Sequence, residues 1–357
     1  MDCDAFYVAV ELLRHPQLRG RPVIVAGDGP RAVVTTASYE ARRCGVGSAM
    51  PASRARRLCP EATFLPPDFA YYRHVSQRML TVLSRHVDRI ETAGLDEAYL
   101  DLSGFHSPRS AMRRIVAEIE LEVGVRCSVG IGPNKLVAKV ASDAEKPAGF
   151  VVLTAAQACE RFACSPPSLL PGIGPKTAAR LRHLGITTLA QLRVTPPDQL
   201  TAQFGANRGR DLEAWARFED ESEITGPRIA SSESRERTFD VDIADFEAMA
   251  GHLRAMSEGL CVSLAKHRRA GCTVSIKVRL ADFSTVTRSR RLQHPTRDAR
   301  MVYAVALDLL RANRPSKPVR LLGVRVSGFE RHQERTGEGQ APTGGACPPA
   351  EQLPLWR

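Results

Sequence analysis

An α+β fold follows from three patterns in the sequence. Over residues 1–150, segments of strand and helix periodicity come in the order strand, helix, strand, strand, helix, strand. That order indicates a sheet with helices on one face. Between residues 235 and 329 the order is β-α-β-β-α-β, a split βαβ unit. A glycine-punctuated helical motif, residues 170–192, lies between the two.

Taken in order, an acidic strand opens the chain and a helix follows over residues 5–13. Residues 21–36 read as a hairpin turning at Gly27-Asp28-Gly29-Pro30. A helix then begins at Tyr39 with Ser38 as its N-cap, a short basic helix covers 53–59, and 63–65 return as a strand. Residues 69–87 form an amphipathic helix with Tyr72, Val75, Met79, Leu80 and Leu83 inward. Residues 90–102 are a strand, 108–122 a helix, 127–132 a strand and 135–145 a helix ended by Lys146-Pro147. After a linker at 219–234, strands are expected at 235–241, 271–280, 284–292 and 318–329, with helices at 245–267 and 296–313. The tail from His332 to Ala350, rich in Gly, Pro, Thr and Glu, is expected to be disordered.

Two acidic strands carry the chemistry. In the stretch Leu95 to Leu102, Ala98, Leu100 and Leu102 alternate toward a core while Glu97, Tyr99 and Asp101 face the other way. Asp96 is out of phase with Glu97, so a shared site requires Asp96 to sit in a turn or bulge. Adjacent carboxylates repel unless a cation lies between them. An Asp-Glu pair alone is most often a solvated turn. The first strand, however, adds Asp2 and Asp4 on one face. Asp2, Asp96 and Glu97 would make an oxygen cage suited to Mg²⁺ or Mn²⁺. Two such ions are the usual apparatus of in-line nucleotidyl transfer.

Composition is consistent with a nucleic-acid partner. The 357 residues carry 50 Lys+Arg against 39 Asp+Glu, a formal charge of +11. Nine cysteines are scattered without any C-x-x-C, so neither a zinc ribbon nor a thioredoxin-like site is indicated. Buried free thiols in a reducing cytoplasm are expected. No apolar run is long enough to span a bilayer, so no membrane partner is expected. Gly172 and Gly174 let backbone N–H groups point outward at a helix start, a cradle for one phosphate beside Lys176. From Lys266 to Arg291 basic residues crowd around one acid, Asp282, and Arg288 and Arg290 share a strand face.

Five pieces in one order carry a family resemblance. They are the acidic first strand, the helix with Ala37 and Tyr39 to Arg42, the strand Leu95 to Asp101, the turn Gly130 to Lys135, and the turn Lys146-Pro147-x-Gly149. Together they resemble the Y-family DNA polymerases, in the polymerase IV branch. The resemblance implies a right-hand fold: palm at 1–10 and 69–160, fingers at 11–68, thumb with a helix-hairpin-helix at 161–226, little finger at 227–330, and a tail at 331–357. It implies that Asp2, Asp96, Glu97 and the Cys3 carbonyl hold two Mg²⁺ ions. It implies that Tyr7 is a steric gate against a 2′-hydroxyl, and that Phe6 and Tyr7 offer backbone N–H groups to the triphosphate. Thr36, Tyr39, Arg42 and Lys146 would hold its phosphates. The end of the tail, Gln352, Leu353, Leu355 and Trp356, resembles a sliding-clamp-binding peptide.

The implied activity is low-fidelity, low-processivity DNA synthesis past damaged templates. Primer-template DNA, deoxynucleoside triphosphates and a sliding clamp would be partners of a cytoplasmic, nucleoid-associated monomer. Three features depart from the family. The chain begins at Met1-Asp2, where several apolar residues usually precede the first ligand, so Asp2 is expected on a frayed end and the natural chain is expected to be a few residues longer. Glycine stands at 94 where serine is usual, and Trp356 replaces phenylalanine. The alternatives are a catalytically inactive DNA-repair adaptor that keeps the fold and, from the helix-hairpin-helix alone, a structure-specific nuclease or DNA-binding module.

Overall fold

A computed structural model describes residues 1–226 and 229–329. The expected tail and its clamp peptide lie outside the described residues. The chain divides into two compact units at residues 228 and 229.

The first unit opens with a two-residue strand, β1 (Asp2–Cys3), and turns at Ala5, in the left-handed region at φ 46°, into α1 (Phe6–Arg14). Strands β2 (Val23–Ala26) and β3 (Val34–Ala37) form the expected antiparallel hairpin. Ser38 Oγ accepts the Ala41 N–H at 3.2 Å and so starts α2 (Tyr39–Arg43). Helix α3 (Ala52–Leu58) leads to β4 (Thr63–Leu65), which returns parallel to β2. Helices α4 (Phe69–Ser84) and α5 (Pro108–Val123) then flank a hairpin of β5 (Ile90–Thr92) and β6 (Ala98–Leu100). Strand β7 (Cys127–Ile131), α6 (Lys135–Asp143) and β8 (Phe150–Val152) make a βαβ unit with parallel strands. Five helices complete the unit: α7 (Ala155–Arg161), α8 (Pro175–His183), α9 (Leu189–Val194), α10 (Pro197–Phe204) and α11 (Ala206–Ala216).

Alternation along β2 serves two cores. Val23 and Val25 pack with α1, α4 and α5, while Ile24 and Ala26 pack with β3, α2 and α3. Helix α6 likewise gives Leu136, Val137 and Val140 to the core of α7–α11. The first glycine of the Gly130 to Lys135 turn lets α6 lie against β7. A Cβ at Gly130 would collide with the Ala138 carbonyl.

In the second unit the order is β9 (Ser232–Ile243), α12 (Phe246–Lys266), β10 (Gly271–Leu280), β11 (Thr285–Thr296), α13 (Ala299–Ala312) and β12 (Val319–Phe329), the expected split βαβ topology. The antiparallel sheet runs β11-β10-β12-β9. Val274, Ile276 and Val278 face the core shared with α12 and α13. Register puts Arg290 opposite Val274 and Arg288 opposite Ile276, so both arginines lie on the helix-bearing side of edge strand β11. Arg288 donates to Asn313 Oδ1 at 2.8 Å, and Arg290 pairs with Asp308 at 3.1 Å. The expected shared face is therefore present, and both arginines are exposed on it. The opposite face, without helices, carries Lys277, Arg279, Arg291 and Arg325.

Candidate active site

Strand β1 is held on both sides despite its length. Asp2 pairs with Ser128 and Cys3 with Cys127 across β7. On the other side Cys3 N–H donates to Asp96 O at 2.9 Å, Ala98 N–H donates to Met1 O at 3.1 Å, and Asp2 bridges Glu97. The expectation of a frayed Asp2 is thus corrected: backbone bonds to β7 and to residues 96–98 fix it, and the residue is buried. Asp96 sits in the bend that closes the β5–β6 hairpin, which brings it into phase with Glu97 as anticipated.

Asp4 leaves the strand face assigned to it, because β1 ends at Cys3. Its carboxylate accepts Ser128 Oγ at 2.8 Å, Ala148 N–H at 2.7 Å and Tyr39 OH at 3.4 Å. It braces the site and is not one of the clustered carboxylates.

Two lysines bracket Asp2. Lys139 Nζ lies 2.6 Å from Asp2 Oδ2, 2.5 Å from Glu97 Oε1 and 3.3 Å from Asp143. Lys146 Nζ lies 2.6 Å from Asp2 Oδ1 and 2.6 Å from Asp143. Burial alone would push the Asp2 carboxyl up, but hydrogen bonds from Glu97, Lys139 and Lys146 outweigh it and hold it at about 2. Asp96 is pushed up by burial and by the charge of Asp2. Glu97 is pushed up by burial and by its hydrogen bond with Asp2, with Lys139 opposing. The three carboxylates supply the oxygen donors that a divalent cation takes, and in the structure the Lys139 ammonium bridges Asp2 and Glu97 where such a cation would lie. Lys139 and Asp143 escaped the sequence reading. Their spacing to Lys146, four and then three residues, was the available signal, since it places all three on one side of α6 and its exit.

The residues predicted to hold the nucleotide converge on the same cleft, about 300 Å³ in volume. Phe6, Tyr7, Thr36, Tyr39, Arg42 and Lys146 line it together with Asp2, Cys3, Asp96 and Glu97. Tyr7 stacks on Tyr72 with ring centroids 4.6 Å apart and meets the edge of Phe69 at 5.7 Å. Tyr72 is anchored in turn by a 2.6 Å hydrogen bond to the buried Glu11. Arg42 lies over the Tyr39 ring at 4.8 Å and donates to Ala37 O at 3.0 Å, which orients both groups at the start of the cleft. Burial and the nearby Asp4 push the Tyr39 phenol up to about 12, so it stays a donor.

The chain's similarities agree with this arrangement. Residues 1–143 match the impB/mucB/samB family, residues 230–340 its C-terminal domain, and residues 168–218 the family described as DNA polymerase-iota, thumb domain. A DNA polymerase IV of Methanoculleus marisnigri is 40% identical over 337 residues, 92% of this chain and 93% of that protein. A DNA polymerase IV of Desulfatibacillum aliphaticivorans is 41% identical over 332 residues, 92% and 84% respectively. The chain belongs to the Y family of DNA polymerases. A solved Y-family DNA polymerase chimera superposes with a TM-score of 0.83 at 27% identity, covering 91% of this chain and 97% of that one.

As a Y-family polymerase, the protein carries its helix-hairpin-helix on α8 and α9. Gly172 adopts φ 84° and its carbonyl accepts Arg208 at 2.6 Å, so the turn is pinned from α11. Gly174 N-caps α8 with open space where a Cβ would stand, and Lys176 is exposed at the second position of the helix. Gly172, Gly174 and Lys176 are not among the residues of the carboxylate cleft. Among the described residues no helix is long and apolar enough to cross a membrane.

Proposed function

We propose that this polymerase extends a primer 3′-hydroxyl with deoxynucleotides by two-metal transfer and copies past damaged templates. The observation that carries the reading is the single cleft in which Asp2, Asp96 and Glu97 face Tyr39, Arg42 and Lys146. Asp2, Asp96, Glu97 and the Cys3 carbonyl would hold Mg²⁺, with Mn²⁺ as a substitute. The bound ions would make the 3′-hydroxyl more acidic and offset charge on the triphosphate. Arg42, Tyr39, Thr36 and Lys146 orient the β- and γ-phosphates, assisted by the Phe6 and Tyr7 N–H groups at the start of α1. Tyr7, backed by Tyr72, blocks a 2′-hydroxyl by contact.

The DNA grip would combine the outward N–H groups around Gly172 and Gly174, Lys176, and basic residues of the β9–β12 sheet. These are phosphate contacts that position the duplex without reading it. Among these would be Arg288 and Arg290, both exposed on edge strand β11, with Arg279 on the opposite face a further contact. Low fidelity, low processivity, a monomeric state and association with the nucleoid complete the proposal. The final hexapeptide with Gln352, Leu353, Leu355 and Trp356 would tether the enzyme to a sliding clamp. The two-sided pairing of β1 supports catalysis over the inactive-adaptor alternative, which relied on a loose Asp2.

Primer extension with Mg²⁺, wild type beside Asp96→Asn, tests the reading. Extension by the wild type alone is expected, with DNA affinity kept within a few-fold in the variant. Equal extension by both proteins would remove the metal assignment.

A further inference from the structure

Behind the nucleotide-gripping helix, two cysteines and a carboxylate converge at a place that the polymerase reaction does not use. Cys44 caps the C-terminus of α2, Cys59 caps that of α3, and Glu61 lies two residues further on. Their ligand atoms all lie within 4.8 Å of one another. Glu61 Oε1 is 3.3 Å from Cys59 Sγ and 3.7 Å from Cys44 Sγ. Cys59 is fully buried, Cys44 is partly exposed and Glu61 is exposed, so the cluster has one side in the protein and one toward solvent.

The two sulfur–oxygen separations are close to what a tetrahedral ion demands. With zinc–sulfur bonds of about 2.3 Å and zinc–oxygen bonds of about 2.0 Å, neighbouring sulfur and oxygen ligands stand about 3.5 Å apart. The two sulfurs lie within 4.8 Å of each other, against about 3.8 Å around such an ion. Two helix C-termini meet at the site, and their carbonyl ends favour positive charge there. Burial, together with Cys44 and Glu61, pushes the Cys59 thiol up to about 12, so without a cation Cys59 stays protonated.

We propose that Cys44, Cys59 and Glu61 form a binding site for a thiophilic divalent cation, Zn²⁺ in particular, with solvent completing the coordination. On binding, each thiol releases its proton to water and the two thiolates and the carboxylate become ligands. The ion would clamp the end of α2, which carries Tyr39 and Arg42, to the α3–β4 turn. No C-x-x-C marks this site, since the two cysteines are fifteen residues apart. It extends beyond the polymerase function and does not depend on it.

The test is differential alkylation of the full chain, mapped by mass spectrometry, with Mg²⁺ in excess to occupy carboxylate sites. One equivalent of Zn²⁺ should slow alkylation of Cys44 by at least about tenfold and leave exposed Cys164 unchanged. Glu61→Gln, an exposed position, should lose most of that protection, and Cys44→Ser should reduce the zinc retained on dialysis by about one equivalent. Cys59→Ser is avoided as the sole probe because it alters a buried side chain. Unchanged Cys44 alkylation with Zn²⁺, or protection that survives Glu61→Gln, would overturn the proposal. So would protection without metal that a reductant removes, since that would mark a disulfide.

Discussion

Lys139 Nζ sits 2.6 Å from Asp2 Oδ2, although 137 residues separate the two in the chain. The ammonium occupies the space between Asp2 and Glu97 that a divalent cation would claim. Removing it leaves two partly buried carboxylates without their counter-charge. Lys139→Met should therefore destabilise the metal-free protein by on the order of 2 kcal/mol. Mg²⁺ should restore more stability to the variant than it adds to the wild type. Chemical denaturation with and without Mg²⁺ decides this, and equal Mg²⁺ effects on both proteins would count against the shared position.

Proton competition at the same carboxylates sets a pH dependence. Asp2, held at about 2 against an ordinary 3.8, contributes stability that is present above 3.8 and lost as the pH falls through about 2. Asp96 and Glu97, raised above 3.8 and 4.5, have the opposite sign: their ionised forms cost stability, and acidification relieves that cost. Metal binding needs both ionised. Stabilisation by Mg²⁺ should thus fade on acidification at a pH above ordinary carboxylate values. The profile should shift toward lower pH in Gly94→Ser. A Cβ at position 94 stands 3.3 Å from Asp96 Oδ1, so the serine hydroxyl can donate to that carboxylate and favour its charge. Thermal shifts with Mg²⁺ across pH measure both curves, and coincident profiles would refute the link.

Tyr7 gains its rigidity from the ring of Tyr72, 4.6 Å away and inclined by 23°. Tyr7→Ala should raise ribonucleotide over deoxynucleotide incorporation, as a ratio of kcat/KM, by at least about tenfold, or ~1.4 kcal/mol. Tyr7→Phe, which keeps the ring, should retain discrimination. Loss of discrimination in both variants would point to the hydroxyl instead of the ring.

Salt separates the two faces of the β9–β12 sheet. Arg279→Ala, on the face without helices, should weaken duplex binding and lower the slope of log affinity against log salt by about 1. Arg290→Ala, whose guanidinium already meets Asp308 at 3.1 Å, should change the slope by less. The reverse order would return the DNA contact to the edge pair Arg288 and Arg290.

Much of the site was legible because it rests on local pattern. Asp96 and Glu97 are adjacent, and the phase argument alone required the bend that the hairpin supplies. Tyr39 and Arg42 share a helix face by spacing. What local pattern could not give was partnership across the fold. Arg288 and Arg290 share a face as their spacing required, but that α12 and α13 pack on that side depends on the whole fold. Asp2 looked unsupported because its two neighbouring strands lie about a hundred residues away in sequence. The convergence of Lys139 on Asp2 was hidden for the same reason.

Strand β2 has a mechanical consequence. Its four residues form a party wall, with Val23 and Val25 in one core and Ile24 and Ala26 in the other. Swinging the two compartments apart at this strand would strip apolar side chains worth roughly 1.5–3 kcal/mol each from one side or the other. The helix that carries Tyr39 and Arg42 is thus welded to the floor that carries Asp2. On the proposed function, a wall shared in this way would let the cleft take up a distorted template without first closing on it to test its shape.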